Sequence, residues 1–204
     1  MDFSLDQLLQ SMQTYGANLR AGQAATVEAH KRLVNPPVPI ANMIVKPDPT
    51  LGEHFQNLDK QEGLPPRTLL AIATTETGGE KDPIHVQNYK DATGIFQQRD
   101  IFRKTYGIPD STNPLIAGAG TARAMKSLIK RFGNIELALA AYNWGPGNLR
   151  KANLDISKAP RQTREYVQNA MAIIRGEKPL RGAGKTFQTV LNKPITEWKN
   201  GKKD

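Results

Sequence analysis

The chain has 204 residues, no cysteine and a net charge of +9. It is long enough for one domain with a real core, but the missing cysteine excludes a disulfide framework or a thiolate metal site. The basic excess favours polyanions in general, whether nucleic acid, anionic lipid or an acidic wall, without choosing among them.

Taken in chain order, Leu5, Leu8, Leu9, Met12, Tyr15 and Leu19 recur at steps of three and four. That spacing predicts an amphipathic helix that packs on its own domain or docks a partner chain. Helical composition resumes from Val27 to Leu33. Residues 35–49 then hold five prolines, which remove backbone donors and predict an extended arm. The expected organisation is an N-terminal arm over 1–49, a mainly helical domain over 50–175 and a basic tail from 176.

Within the central region a first short helix is expected from Leu51 to Leu58. A second opens at Pro65-Pro66, buries Leu69, Leu70, Ile72 and Ala73, and stops at Gly78-Gly79. Residues 80–98 lack a sustained period and predict loops or a small hairpin. A long helix runs from Leu115 to Phe132, and a nearly all-apolar one from Ile135 to Tyr142 should be central in the core. Tyr166, Val167, Ala170, Met171 and Ile174 mark the last core helix. Residues 176–204, with 7 basic and 3 acidic side chains, predict a solvated tail with possible polyanion contact. A phosphate loop at Gly184-Lys185-Thr186 is excluded, because Pro179 stands where its first glycine is required.

Three separated motifs carry the chemistry: Glu76-Thr77, Gly94-Ile95-Phe96-Gln97, and Ala141-Tyr142-Asn143-Trp144-Gly145-Pro146-Gly147. A carboxylic acid can protonate a leaving oxygen near neutral pH if apolar burial lifts its pKa, and Glu76 follows such a run. In order and spacing the motifs resemble the soluble lytic transglycosylase family, lysozyme-like enzymes that cleave peptidoglycan. The likeness runs from about Leu51 to Ile174. It includes Asn113-Pro114 opening the long helix and departs from the family pattern at Thr77, for serine, and Phe96, for methionine.

The resemblance implies a lysozyme-like α-helical fold with Glu76 as the catalytic group. It implies that Gln97 binds the sugar's polar groups, and that Gly94 lies where backbone and glycan come close. Phe96 would offer an aromatic face to a sugar ring, and Thr77, keeping the family's hydroxyl, would join Tyr166 among the substrate-binding residues. Asn143 would bind the acetamido group, Tyr142 would hold or screen Glu76, and Tyr166 matches a further family tyrosine. The implied reaction uses one carboxylate and leaves 1,6-anhydro-N-acetylmuramic acid ends.

A classical hydrolase would need a second carboxylate, for which Asp82 and Asp91 are the nearest candidates. No metal or cofactor is expected, because His30, His54 and His85 are too far apart for ligand spacing. The alternatives are a goose-type lysozyme and a structural virion or secretion-apparatus protein with a vestigial wall-binding domain. Met1 to Asp6 lack the basic leader of a secretory signal. The expectation is therefore a virion-associated enzyme of a bacteriophage, acting in the host periplasm or cell wall, with partner chains engaged through the N-terminal arm.

Overall fold

The computed structural model describes residues 48–78, 83–85, 91–180, 182 and 184–199, together with Gln13. The expectations for the N-terminal helix, for most of the proline-rich arm and for Asp82 lie outside these residues. The chain divides after Pro47 into two units, and the three motifs all fall in the second, which begins at Asp48.

Helix α1 (Leu51–Glu62) is opened by a capping box in which Thr50 and Glu53 satisfy each other's backbone donors, and Gly63 closes it in the left-handed conformation. Helix α2 (Thr68–Thr77) starts after, not at, the two prolines. Its first turn is held from outside: the Leu69 amide donates to Oδ1 of the buried Asp59, at 3.1 Å. Helix α3 (Asp100–Tyr106) is a short element that the sequence pattern did not reveal.

Helices α4 (Pro114–Phe132) and α5 (Ile135–Trp144) are capped by Asn113 and Asn134, whose side chains accept from first-turn amides. The short α6 (Pro146–Lys151) comes at once, then a 3-10 turn (Ile156–Lys158) and α7 (Arg161–Arg175). Helix α5 packs on α4, α6 and α7, while α2 is covered by α7 and α1. This arrangement explains why α5 is apolar on most sides, with Ala138 to Ala141 buried.

Two helices complete the unit, α8 (Lys185–Leu191) and α9 (Thr196–Lys199). They correct the expectation of a solvated tail, at least as far as residue 199. Phe187 is fully buried, and Val190, Leu191 and Ile195 are buried with it. Main-chain bonds from Leu51 to Lys193, at 2.8 Å, and from Ile195 to Pro49, at 2.9 Å, close the segment onto the start of α1. The sequence pattern missed this because each helix is under three turns and spends its few apolar residues on one contact. No strand forms among the described residues, where two isolated bridges, Thr50 with Pro194 and Thr93 with Gln98, are the extended pairings. The structure is mainly helical, as expected.

Candidate active site

Glu76 is the penultimate residue of α2, a helix that buries Leu69, Ala71, Ile72, Ala73, Thr74 and Thr77. It lies on a cleft of about 1130 Å³ that is also lined by Gln97, Tyr142, Asn143, Tyr166 and Asn169. The carboxyl retains some contact with solvent through the cleft, but protein crowds it on the remaining sides. Desolvation raises its pKa to about 8, against an opposing polar interaction from the Tyr166 hydroxyl. That interaction falls short of a hydrogen bond of normal geometry, since the buried Tyr166 hydroxyl closes none. Burial, reinforced by a negative charge on Glu76, pushes the Tyr142 and Tyr166 phenols well above their usual range. Both therefore keep their protons beside the carboxyl.

The second motif forms a tight turn that meets α2 and α5. The Gln97 amide donates to the Gly94 carbonyl at 3.0 Å, and the Gln97 side-chain amide donates to the same oxygen at 2.9 Å. The Tyr142 hydroxyl donates to the Phe96 carbonyl at 2.7 Å, so the third motif is tied to the second by one strong bond. The Thr77 hydroxyl donates to the Ala73 carbonyl at 3.0 Å, with a longer approach to the Ile95 carbonyl at 3.5 Å.

These contacts correct three expected roles. Phe96 is fully buried and its ring packs on Phe55 with centroids 5.3 Å apart, so the site receives its carbonyl and not its aromatic face. Thr77 is buried and serves the helix end and the turn. Gly94 has φ of +75°, and a Cβ there would lie 1.9 Å from the Ser111 carbonyl oxygen. The close approach that demands glycine is thus to the protein's own backbone.

Asn143 and Tyr166 both line the cleft. The Asn143 side-chain oxygen accepts from the Thr163 hydroxyl at 2.9 Å, an arrangement that fixes the amide and leaves its NH₂ group as the donor end. Gly145, with φ of +98° and ψ of 138°, allows α5 to stop and α6 to start without a loop, which holds Tyr142 and Asn143 at the last turn of α5.

The carboxylates lining the cleft, among the described residues, are Glu76 and Glu165. Glu165 is ion-paired with Arg161 at 2.7 Å. Asp91 is committed elsewhere: it accepts from Arg99 at 2.9 Å, which holds its carboxyl below the usual range, and from the Asp100 amide at 2.6 Å. No cluster of three or more potential metal ligands occurs among the described residues.

Sequence reasoning missed several contributors. Arg103 donates to the Gln98 carbonyl at 2.8 Å and to the Thr93 hydroxyl at 3.0 Å, and so braces the turn that carries Gln97. Tyr106, Phe102 and Tyr142 form a continuous aromatic wall, with centroid separations of 4.7 and 5.0 Å. The aromatic pair at i and i+4 in residues 100–106 was the available signal. Asn169 donates to the Thr75 hydroxyl at 3.0 Å and links α7 to the residue preceding Glu76.

A family model described as transglycosylase SLT domain matches residues 53–164, more than half of the chain. No curated protein matches the chain by sequence.

Proposed function

Because this chain belongs to the transglycosylase SLT domain family, we propose that it cleaves the β-1,4 bond between N-acetylmuramic acid and N-acetylglucosamine with Glu76 as its one acid and base. The observation that carries this reading is the desolvated Glu76 carboxyl, with a pKa of about 8, between two protonated tyrosines on the cleft wall. At neutral pH such a carboxyl holds the proton that the reaction must deliver.

In the proposed sequence Glu76 gives its proton to the glycosidic oxygen, which leaves on N-acetylglucosamine as a hydroxyl. The muramoyl anomeric carbon becomes cationic and is stabilised by the sugar's own acetamido oxygen, with the Asn143 NH₂ group orienting that acetamido. The Glu76 carboxylate then removes the proton of the muramoyl 6-hydroxyl, whose oxygen bonds to the anomeric carbon and closes the 1,6-anhydro ring. Glu76 ends as it began, protonated, and no water is consumed. A two-carboxylate hydrolysis would need a second group opposite Glu76. The pairing of Glu165 with Arg161 and of Asp91 with Arg99 favours the single-carboxylate route.

Mass spectrometry of soluble fragments released from purified peptidoglycan tests the reading. Anhydro-muramoyl ends from the wild type and none from Glu76→Gln are expected. Reducing ends, heavier by one water, would replace it with a lysozyme. Delivery by a bacteriophage particle is a finer part of the same proposal. Its support is the apolar repeat of Leu5 to Leu19, which suits a partner chain. Immunoblotting of purified particles checks it, and absence of the protein from them would end it.

A further inference from the structure

Leu180 is 62% exposed, although it is a large apolar side chain. It lines the catalytic cleft on one side and a second groove of about 510 Å³ on the other. The two depressions are therefore neighbours across a single leucine. The floor of the second groove is apolar, formed by Val167 and Met171 of α7 and by Ile156 of the 3-10 turn. Its rim is charged with both signs, Arg175 and Lys178 against Glu136 and Glu177, all exposed.

None of these four rim groups forms an ion pair among the described residues, whereas Arg161 with Glu165 and Lys158 with Asp155 nearby do. Arg164, also on the rim, is engaged with the Ser157 and Ala159 carbonyls, so it builds the groove and does not offer a charge to it. The rim is held in place by the end of α7. Gly176 closes that helix in the left-handed conformation, and the Glu177 amide returns to the Ala172 carbonyl at 2.8 Å.

We propose that this groove seats the peptide stem of the glycan strand whose sugars occupy the adjacent cleft. The inference rests on the peptidoglycan reading of that cleft. A stem peptide is short, carries small apolar side chains, and bears carboxylates together with an amine where its dibasic residue is uncrosslinked. That chemistry matches an apolar floor rimmed by cations and anions that form no ion pair among the described residues. A bare polysaccharide offers no such charges, and a nucleic acid offers only anions, which Glu136 and Glu177 would repel. The position across Leu180 also fits, because the stem branches from the muramic acid and must leave the cleft sideways.

The test is a binding titration that needs no turnover. A free stem tetrapeptide with an uncrosslinked dibasic residue is titrated into full-length wild type and into the double variant Arg175→Ala/Lys178→Ala, with NMR detection of the Met171 methyl and of backbone amides. Saturable shifts at Met171 and around residues 167–178 are expected in the wild type, and about a tenfold or greater weakening in the double variant, equivalent to roughly 1.4 kcal/mol. Unperturbed spectra, shifts confined to the Glu76 cleft, or equal affinity in the variant would each overturn the proposal. Glu76→Gln serves as the separate control. It should bind the peptide like the wild type whatever reaction the cleft performs, so a failed cleavage assay and a failed groove are read independently.

Discussion

Tyr166, on α7, presses its buried hydroxyl towards the Glu76 carboxyl on α2 and holds that carboxyl's pKa lower than burial alone would set it. The relation matters because the proposed cycle needs Glu76 protonated at the start and ionised halfway. Desolvation supplies the first condition, and a nearby proton donor limits the cost of the second.

Tyr166→Phe removes the donor and keeps the packing. Glu76 then loses the one interaction that lowers its pKa, so the value must rise above about 8. The basic limb of the kcat/KM profile, where the acid form is lost, should move up by less than about 1 pH unit, since the contact is weaker than a full ~0.5–1.5 kcal/mol hydrogen bond. A pH–rate series on solubilised glycan strands checks this. A limb that stays in place, or moves down, would contradict the arrangement.

Glu76→Gln has a second expected effect, on stability. The folded carboxyl has a pKa of about 8, against about 4.3 for an unfolded glutamate. Between those values the native state binds a proton that the unfolded state has lost, so this group makes stability fall as pH rises from about 4.3 to 8. Glutamine removes that penalty. Denaturant unfolding should show no difference near pH 4 and a gain on the order of 1–2 kcal/mol for the variant at pH 8.5, discounted for the solvent that reaches the cleft. A residual slope ending near pH 7 should persist in the variant, because burial also raises Asp59 to about 7.

Two glycines of the site motifs should behave in opposite ways. Gly94→Ala places a Cβ 1.9 Å from the Ser111 carbonyl at a positive φ and should cost about 3 kcal/mol or more of stability. Gly147→Ala meets no atom within 4 Å and requires no positive φ. It should be neutral or slightly stabilising, since Gly147 lies inside α6 and alanine is the better helix former. Urea unfolding of the pair measures both against one wild-type curve.

Phe187→Ala distinguishes a packed C-terminal segment from a solvated one. Phe187 is fully buried in the core cluster with Leu51 and Phe55. Its truncation should cost about 3–5 kcal/mol, whereas a side chain on a solvated tail would change stability by less than about 0.5 kcal/mol. The segment also meets the end of α2, the helix that carries Glu76, through the Gly184 amide on the Gly78 carbonyl at 2.5 Å. Hydrogen exchange at the end of α2 should accelerate in the same variant.

By itself the sequence determined the helices whose apolar period is long, α4, α5 and α7, and the three motifs that bring Glu76, Gln97, Tyr142 and Asn143 to one cleft. Periodicity and cap residues are local, and a motif's spacing survives any packing that preserves its elements. Tertiary structure decided what each motif residue touches. Whether Phe96 meets a sugar or Phe55, whether Gly94 makes room for glycan or for Ser111, and whether Asp91 faces Glu76 or Arg99 all depend on partners distant in the chain or set by loop geometry. The short helices α3, α8 and α9 were equally out of reach, because a helix of one or two turns is stabilised by the surface it covers and not by its own pattern. The pKa of Glu76 belongs to the same class: an apolar run before it suggested burial, but only the packing of α7 and α5 around it sets the dielectric that makes a carboxylic acid at neutral pH.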